Sequence, residues 1–369
     1  MSAPSADLRP LVDHHCHGLL LDDLNRSSFE ALMNEAAGPS RLGTSFFDSM
    51  LGLAIRRWCA PVLGLEPHAP AEDYLARRGE LGVEASRLLV AAAGIETFLV
   101  DTGLPDDRLC SPAQLAALSG GRAYEVIRLE ALAEELINTG TKAADFAETV
   151  RNMLQESTPV ATKSIAAYRV GLNLATEKPS ADALIAALAS LRPVAADHYR
   201  IAHPVISCWL AWTAVELGIP LQIHVGYGDA DIDLLRADPL LLTPFLRATE
   251  HRGVPVLLLH SYPFHRQAAY LAQVYSHVFI DLGLAVHNTG ALSRTLMRES
   301  LELAPFGKLL FSTDAYGLAE LFHLGAVLFR HGLSAVLGDL VETGEMAGRD
   351  VDHVASLITH DNARRVYGV

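Results

Sequence analysis

Residues 11–17 read Leu-Val-Asp-His-His-Cys-His, an apolar start that runs into three histidines. A short apolar run of this kind is typical of a buried β-strand. Side chains alternate between the two faces of a strand, so His15 and His17 point the same way. Two imidazoles on one face at a strand end can bind one metal ion from the same side. This stretch therefore predicts both the first strand of a sheet and the start of a metal site.

Seven further short runs have the same character, each largely apolar with polar residues at or near its end. They cover residues 94–101, 124–130, 160–165, 220–225, 255–260, 277–281 and 308–314. Nearly all are separated by segments long enough for a helix, which is the pattern of a closed parallel barrel. A doubly wound open sheet can produce the same alternation. We predict an α/β protein with a (β/α)8 TIM barrel.

One connection is much longer than the others. Residues 22–91, between the first and second strands, have a mostly helical composition. We predict a helical insertion here, on the side of the barrel where active sites lie. The insertion can cap the site or form a dimer surface, and we expect a homodimer. No interdomain linker stands out, so residues 1–369 are expected to form a single barrel-type domain.

The composition limits the class of protein. The 369 residues carry 29 Lys+Arg against 43 Asp+Glu, a net charge of −14, and half of them are hydrophobic. The apolar content excludes a disordered chain, and the acidic balance argues against nucleic-acid binding. Four widely spaced cysteines indicate reduced thiols. Neither a stretch of about 20 apolar residues nor a signal-peptide pattern is evident, so we expect a cytoplasmic protein that binds no membrane.

Side chains that can bind a metal ion lie at the ends of five of the predicted strands. The strand C-termini of a parallel barrel meet on one rim, so these side chains should converge. We predict the metal ligands to be His15, His17, Lys163, His224, His260 and Asp314. Imidazole and carboxylate ligands suit zinc, manganese or iron, and the lack of paired cysteines favours an open, catalytic site. Lys163 can be a plain lysine, or a carbamate that bridges two metal ions.

Three residues on the same rim are candidates for substrate binding: Arg128, Tyr168 and Arg169. An arginine there can hold a substrate carboxylate with two parallel hydrogen bonds, or it can form a structural salt bridge. Tyr168 can contact the ligand or pack. Asp13 and Gln222 share strand faces with the predicted ligands. We expect Asp13 to orient the metal site, and Gln222 either to do the same or to be a buried polar residue of the core.

The motif at residues 11–17 resembles the strand-one signature of the amidohydrolase superfamily. Residues 163–169, 222–226, 260–263 and 312–315 are similar to the amidohydrolase-related group that includes the N-terminal domain of the fungal protein FluG. The ending at residues 361–367 is similar to the usual C-terminus of that group. In FluG this domain is fused to a glutamine-synthetase-like domain. We therefore expect this chain to act alone or with a separate glutamine-synthetase-like enzyme.

The resemblance implies a metal-dependent hydrolase that cleaves an amide or related C–N bond of a small molecule, with a γ-glutamyl amide as one candidate. It implies one or two divalent ions, with zinc favoured and manganese or iron as alternatives. Asp314 would take a proton from the attacking water and pass it to the leaving amine. His260 would polarise the substrate carbonyl or bind a second ion. A decarboxylase acting on an aromatic or dienoic acid would use the same site, and a non-catalytic binding protein is a third hypothesis.

Overall fold

The computed structural model describes residues 8, 10–38, 42–195 and 198–369, and its centre is a parallel β-sheet. Seven strands pair in chain order: β1 (Leu11–Cys16), β2 (Ile95–Asp101), β3 (Arg122–Arg128), β4 (Ala161–Ser164), β5 (Leu221–His224), β6 (Val256–Leu259) and β7 (Val278–Ile280). All six pairings are parallel. A doubly wound sheet reverses its strand order, so this consecutive order excludes that alternative.

The predicted eighth strand, residues 308–314, is not a regular strand. Leu309 forms one isolated parallel bridge with Ile280. On the other side, His14 N donates to Phe311 O at 3.1 Å, and Asp314 N donates to His15 O at 3.0 Å. The segment therefore lies between β7 and β1 and joins the two edges of the sheet, which confirms the barrel class.

A side chain explains why this segment pairs so sparsely. Thr313 N donates to the Asp13 carboxylate at 2.9 Å, so it is not available to a neighbouring strand. Asp314 then has a φ of 51°, outside the extended region. The third strand was predicted at residues 124–130. The structure places β3 at Arg122–Arg128, and Glu130 lies in the following helix.

The core has two layers. A small buried cluster contains residues from six of the seven strands and from the closing segment, as expected for the interior of a barrel. Its strand residues are Val12, Leu99, Val126, Ala161, Leu257, Leu259, Phe279 and Leu310. A much larger apolar cluster lies between the strands and the surrounding helices. Strands that are covered on both faces are expected to be nearly continuous apolar runs, as β6 is.

Apart from isolated bridges at Leu19 and Leu20, the described residues between β1 and β2 form mainly helices and turns. The helices are α1 (Arg26–Ala31), α2 (Met50–Ala54), α3 (Ala60–Val62), α4 (Ala71–Leu81) and α5 (Val83–Ala93), with a π-helical turn at Ile55–Cys59. Tyr74 and Arg78, both buried on α4, each donate to Glu320 Oε1 at 2.8 Å. This buried contact attaches the helical segment to the body of the barrel.

The remaining helices follow the other strands around the barrel. They are α6 (Pro112–Ser119), α7 (Leu129–Asn138), α8 (Phe146–Ser157), α9 (Ala166–Arg169), α10 (Ala181–Ser190), α11 (Pro204–Glu216), α12 (Thr243–Thr249), α13 (His265–Val274), α14 (Gly283–Thr289), α15 (Ser293–Ser300), α16 (Ala319–Glu342), α17 (Val351–Ser356) and α18 (Asn362–Tyr367). By length and composition α16 could cross a membrane, but half of its most apolar stretch is buried within the protein. It packs against α5, α14 and α15, and this packing accounts for its apolar character.

Candidate metal centre

Three predicted ligands meet at the carboxyl end of β1. His15 Nε2 lies 3.2 Å and His17 Nε2 lies 3.3 Å from Asp314 Oδ1. The candidate ligand atoms of these residues all lie within 4.8 Å of one another. Two atoms that each lie about 2.1 Å from a tetrahedral zinc ion are about 3.4 Å apart. The spacing of this triad, His15–His17–Asp314, therefore fits a single divalent cation.

Two more predicted ligands stand beside the triad. His260 Nδ1 lies 3.3 Å from Asp314 Oδ2, and neither of its buried ring nitrogens makes a well-oriented hydrogen bond in the described structure. A buried polar group in this situation is destabilising unless a cation or a substrate engages it. The ring of His224 lies 4.5 Å from that of His260, but its Nε2 donates to Tyr227 O at 3.0 Å. His260 is thus open for binding, whereas His224 Nε2 already has a partner.

Lys163 ends β4 and its side chain is buried against the triad. Its Nζ lies 3.1 Å from His15 Nε2, and no described carboxylate lies within ion-pair distance of it. Burial lowers the pKa of Lys163 to about 8, although the charges of Asp101 and Asp314 oppose the shift. An appreciable fraction of neutral amine is therefore present near neutral pH. Carbamylation requires the neutral amine, so the chemistry of both alternatives for Lys163 is accessible here.

Two hydrogen bonds orient the imidazoles of the triad. His15 Nδ1 donates to Gln222 Oε1 at 2.8 Å, and His17 Nδ1 donates to Asp101 O at 3.1 Å. Each acceptor places the proton on Nδ1 and so directs the Nε2 lone pair toward Asp314. Gln222 therefore lies where an orienting residue was expected. The Asp13 carboxylate contacts none of the described imidazoles; it accepts from the backbone and hydroxyl of Thr313 at 2.9 and 2.5 Å, and from the backbone N of His15 at 3.4 Å.

The protonation states favour cation binding. Burial lowers the pKa of His15 to about 4, and it holds the pKa of His260 well below the ordinary histidine value. Burial alone would raise the pKa of Asp314, but the neighbouring His260, His15 and His17 hold that pKa well below its usual range. At neutral pH the buried imidazoles of His15 and His260 are neutral and the carboxylate is charged, which is the form in which these groups bind metal ions.

The backbone is strained around the triad. His260, Ser261 and Asp314 have φ values of 69°, 56° and 51°, in the left-handed region that non-glycine residues rarely adopt. Gly283 packs directly against them. A Cβ at this position would lie 2.6 Å from Ser312 Oγ and 3.3 Å from both Asp314 Cβ and His260 Nδ1. Strain of this kind concentrates at functional sites, where the surrounding packing must hold it in place.

A cavity of about 820 Å³ opens over the triad. All three candidate substrate-binding residues border it. The ring of Tyr168 lies 4.4 Å from that of His224. Arg128 donates twice to Asp101 Oδ2, at 3.0 and 2.7 Å, so it forms a buried salt bridge. Arg169 has a single long contact, from Nη2 to Glu134 Oε1 at 3.4 Å.

Several residues of the site were not singled out from the sequence. Asp101 and Asp281 follow the pattern of a polar residue at or just after a strand end, and this signal could have found them. Asp281 accepts from His260 N at 2.6 Å and pairs with His14 Nε2 at 2.8 Å. Glu35 reaches the cavity from the segment after α1, and no spacing in the sequence indicates this position. Burial, together with the charges of Asp314 and Asp229, raises the pKa of Glu35 to about 7.

Comparisons with known proteins bear on the fold and the family of this chain. The chain is 27% identical to protein fluG of Emericella nidulans over 97% of its own length. It spans about 45% of the length of that curated relative. Its fold superposes with a TM-score of 0.82 on a Lactobacillus casei protein provisionally assigned as a metal-dependent hydrolase, at 28% identity and with 100% and 98% of the two chains covered.

A more distant structure shares the fold alone. It is the uronate isomerase of Thermotoga maritima, with a TM-score of 0.65, 12% identity, and coverage of 97% of this chain and 94% of that one. Residues 166–369, more than half of the chain, match the family model described as amidohydrolase. The resemblance seen in the sequence is thus confirmed, and this chain belongs to the amidohydrolase family.

Proposed function

We propose that this protein is a metal-dependent hydrolase that cleaves an amide or related C–N bond of a small molecule. The observation that carries the proposal is the triad His15–His17–Asp314 beneath a large open cavity. The imidazole and carboxylate donors are the set that zinc accepts, and manganese and iron are alternatives. When bound, the cation supplies a hydroxide nucleophile at neutral pH by lowering the pKa of water.

The triad would hold one ion in the described arrangement. Lys163 and His260 lie next to it, at 3.1 Å from His15 Nε2 and 3.3 Å from Asp314 Oδ2. We favour a single ion with a plain Lys163, since no second group of three ligands is found among the described residues. The alternative is a carbamylated Lys163 that bridges to a second ion held by His224 and His260.

Asp314 is placed to move the proton. Its Oδ1 faces the two triad imidazoles, whereas its Oδ2 faces His260. The charged carboxylate can accept a proton from the attacking water and return it to the leaving amine, as general acid–base catalysis requires. His260, which is neutral and has no well-oriented hydrogen bond, would polarise the substrate carbonyl in this scheme.

The test is an activity screen on the protein loaded separately with zinc, manganese and iron. Candidate amides, including γ-glutamyl amides, and aromatic and dienoic acids are supplied, and products are separated by mass. We expect release of an amine, with the activity lost in D314N. D231N is the control, because Asp231 borders the same cavity but pairs with Arg200. Release of carbon dioxide from an acid, with no amide cleaved, would replace this proposal with the decarboxylase.

We also infer where this protein is located and how it assembles. The four cysteines are all buried and free, which supports a reducing compartment and so a cytoplasmic location. We infer a homodimer, with a separate glutamine-synthetase-like enzyme as a candidate partner. Light scattering of the purified chain tests the first inference, and co-purification from the source cells tests the second.

A further inference from the structure

Tyr367, the last residue of α18, has a buried hydroxyl group that contacts two polar side chains of the sheet. Its oxygen accepts from Gln222 Nε2 at 3.0 Å and lies 2.9 Å from His14 Nδ1. Tyr367 is 8% exposed, belongs to the small buried cluster inside the barrel, and lies outside the cavity. Burial raises the pKa of Tyr367 well above its ordinary value. The hydroxyl therefore keeps its proton near neutral pH and can donate as well as accept.

The contact with Gln222 leads to the triad. Gln222 Nε2 also donates to His14 O at 2.7 Å, so both hydrogens of the amide have an acceptor. These two acceptors hold the amide with its oxygen toward His15 Nδ1, which lies 2.8 Å away. The Tyr367 hydroxyl thus supports the side chain that orients a triad imidazole.

The contact with His14 leads to His260. Because the Tyr367 oxygen accepts from Gln222, its own hydrogen can point to His14 Nδ1. His14 then carries its proton on Nε2, which lies 2.8 Å from Asp281 Oδ2, close but not well aligned for a hydrogen bond. The opposite tautomer would turn a lone pair toward this carboxylate. Asp281 Oδ1 in turn accepts from His260 N at 2.6 Å and so holds a backbone segment with positive φ.

The helix that carries Tyr367 is itself attached to the barrel. At the start of α18, Asn362 Nδ2 donates to Phe306 O and to Leu309 O, both at 2.8 Å. Leu309 lies in the segment that closes the barrel and that ends in Asp314. The Tyr367 hydroxyl therefore has a fixed position relative to the triad.

We propose that Tyr367 is a positioning residue for the metal centre, whose hydroxyl couples the orientation of His15 to that of His260. The inference rests on the metal site of the proposed function and deepens it. His15 is a ligand of the triad, and His260 is the neighbouring group that would polarise the substrate carbonyl. The end of the chain thus supports the metal centre from the interior of the barrel, without bordering the cavity.

Zinc affinity, measured by competition with a chromogenic chelator, tests the contact with Gln222. Y367F should bind zinc about 3-fold to 10-fold more weakly, a smaller loss than for a residue that contacts a ligand directly. In the Q222L background Y367F should cause no further loss, because the hydroxyl acts through Gln222. Y124F is the matched control and should stay within about twofold of the wild type. The Tyr124 ring packs against the same buried cluster, and its hydroxyl has no hydrogen-bond partner among the described residues.

Proton–nitrogen NMR of the imidazoles tests the contact with His14. In the metal-free wild type we expect His14 to be protonated on Nε2 and His15 on Nδ1, opposite tautomers in adjacent residues. In Y367F the His14 signals should shift toward a mixture of tautomers, because Nδ1 has lost its donor. A merely structural role of the ring would not move these signals, since phenylalanine keeps the ring. If Y367F does not fold, the tautomers of the wild type carry the test.

Four results would overturn the proposal: an unchanged zinc affinity in folded Y367F, an equal loss in Y124F, the full loss from Y367F retained in the Q222L background, or wild-type His14 protonated on Nδ1. Neither measurement needs a substrate, so failure of the proposed function is distinguishable from failure of this inference. A protein that cleaves no amide would still show the dependence of zinc affinity and of the His14 tautomer on Tyr367.

Discussion

Replacement of Gln222 by leucine should weaken metal binding from a position that touches no metal. Gln222 is fully buried, accepts from His15 Nδ1 at 2.8 Å, and donates to His14 O at 2.7 Å and to Tyr367 OH at 3.0 Å. Leucine has nearly the same volume but no polar atoms. In Q222L the imidazole of His15 loses the acceptor that fixes its tautomer and its orientation toward Asp314.

The magnitude follows from these contacts. Loss of a partner that orients a metal-bound histidine typically lowers metal affinity about 10-fold to 100-fold. Stability of the metal-free protein should fall by about 1–3 kcal/mol for the buried Nδ1 left without a partner. Tyr367 OH keeps its 2.9 Å contact with His14 Nδ1, so we add no further loss for this hydroxyl.

Competition with a chromogenic zinc chelator measures the affinity, and urea unfolding of the metal-free protein measures the stability. Q273L is the control, because Gln273 is exposed on α13 and lies outside the cavity. An unchanged zinc affinity in Q222L, with a folded protein, would refute the idea that Gln222 holds His15 in a metal-binding orientation. A Q222L protein that loses stability but keeps the zinc affinity of the wild type would refute this idea as well.

Three further outcomes are expected. G283A should lose at least about 10-fold in activity and about 1–3 kcal/mol in stability, because the new Cβ would lie 2.6 Å from Ser312 Oγ. G338A on α16 is the control, because a Cβ there meets nothing within 4 Å. Its free energy of unfolding in urea should rise by up to about 1 kcal/mol. The pKa of Glu35, raised to about 7 in the folded state, means that between about pH 4.5 and 7 the folded protein binds more protons than the unfolded one. Metal-free wild type should therefore lose up to about 3 kcal/mol relative to E35Q as the pH rises through that window, with E135Q, exposed at the same cavity, as the control; a difference that does not vary with pH would contradict the burial of Glu35. K163M should still bind one ion per chain by elemental analysis, whereas a fall from two ions to one or none would establish the bridging carbamate.

The strands could be predicted from local signals, and the convergence of the candidate ligands His15, His17 and Asp314 could be predicted from topology. β5 and β6 lie within one residue of the predicted bounds at each end, since strands covered on both faces are short apolar runs. The triad followed from one topological rule, that parallel strands end on the same rim of a barrel. His15 and Asp314 are far apart in the chain, and only this rule brings them together.

Other features depend on tertiary contacts that no local pattern encodes. Asp13 shares strand parity with His15, but it turns to Thr313 because the closing segment needs a partner for its backbone. The two alternatives for Arg128 could not be separated without knowing that Asp101 lies opposite, and the structure shows the salt bridge. Glu35 comes from the helical segment after β1, whose path over the cavity is set by packing rather than by periodicity.

Anomalous diffraction at the zinc absorption edge, on crystals of the protein grown with zinc, tests the central claim most directly. The account predicts a peak about 2.0–2.2 Å from His15 Nε2, His17 Nε2 and a carboxylate oxygen of Asp314. The same data from D314N crystals should show this peak strongly reduced. Full zinc occupancy at any other place in the protein, with the triad closed by its own hydrogen bonds, would contradict the account.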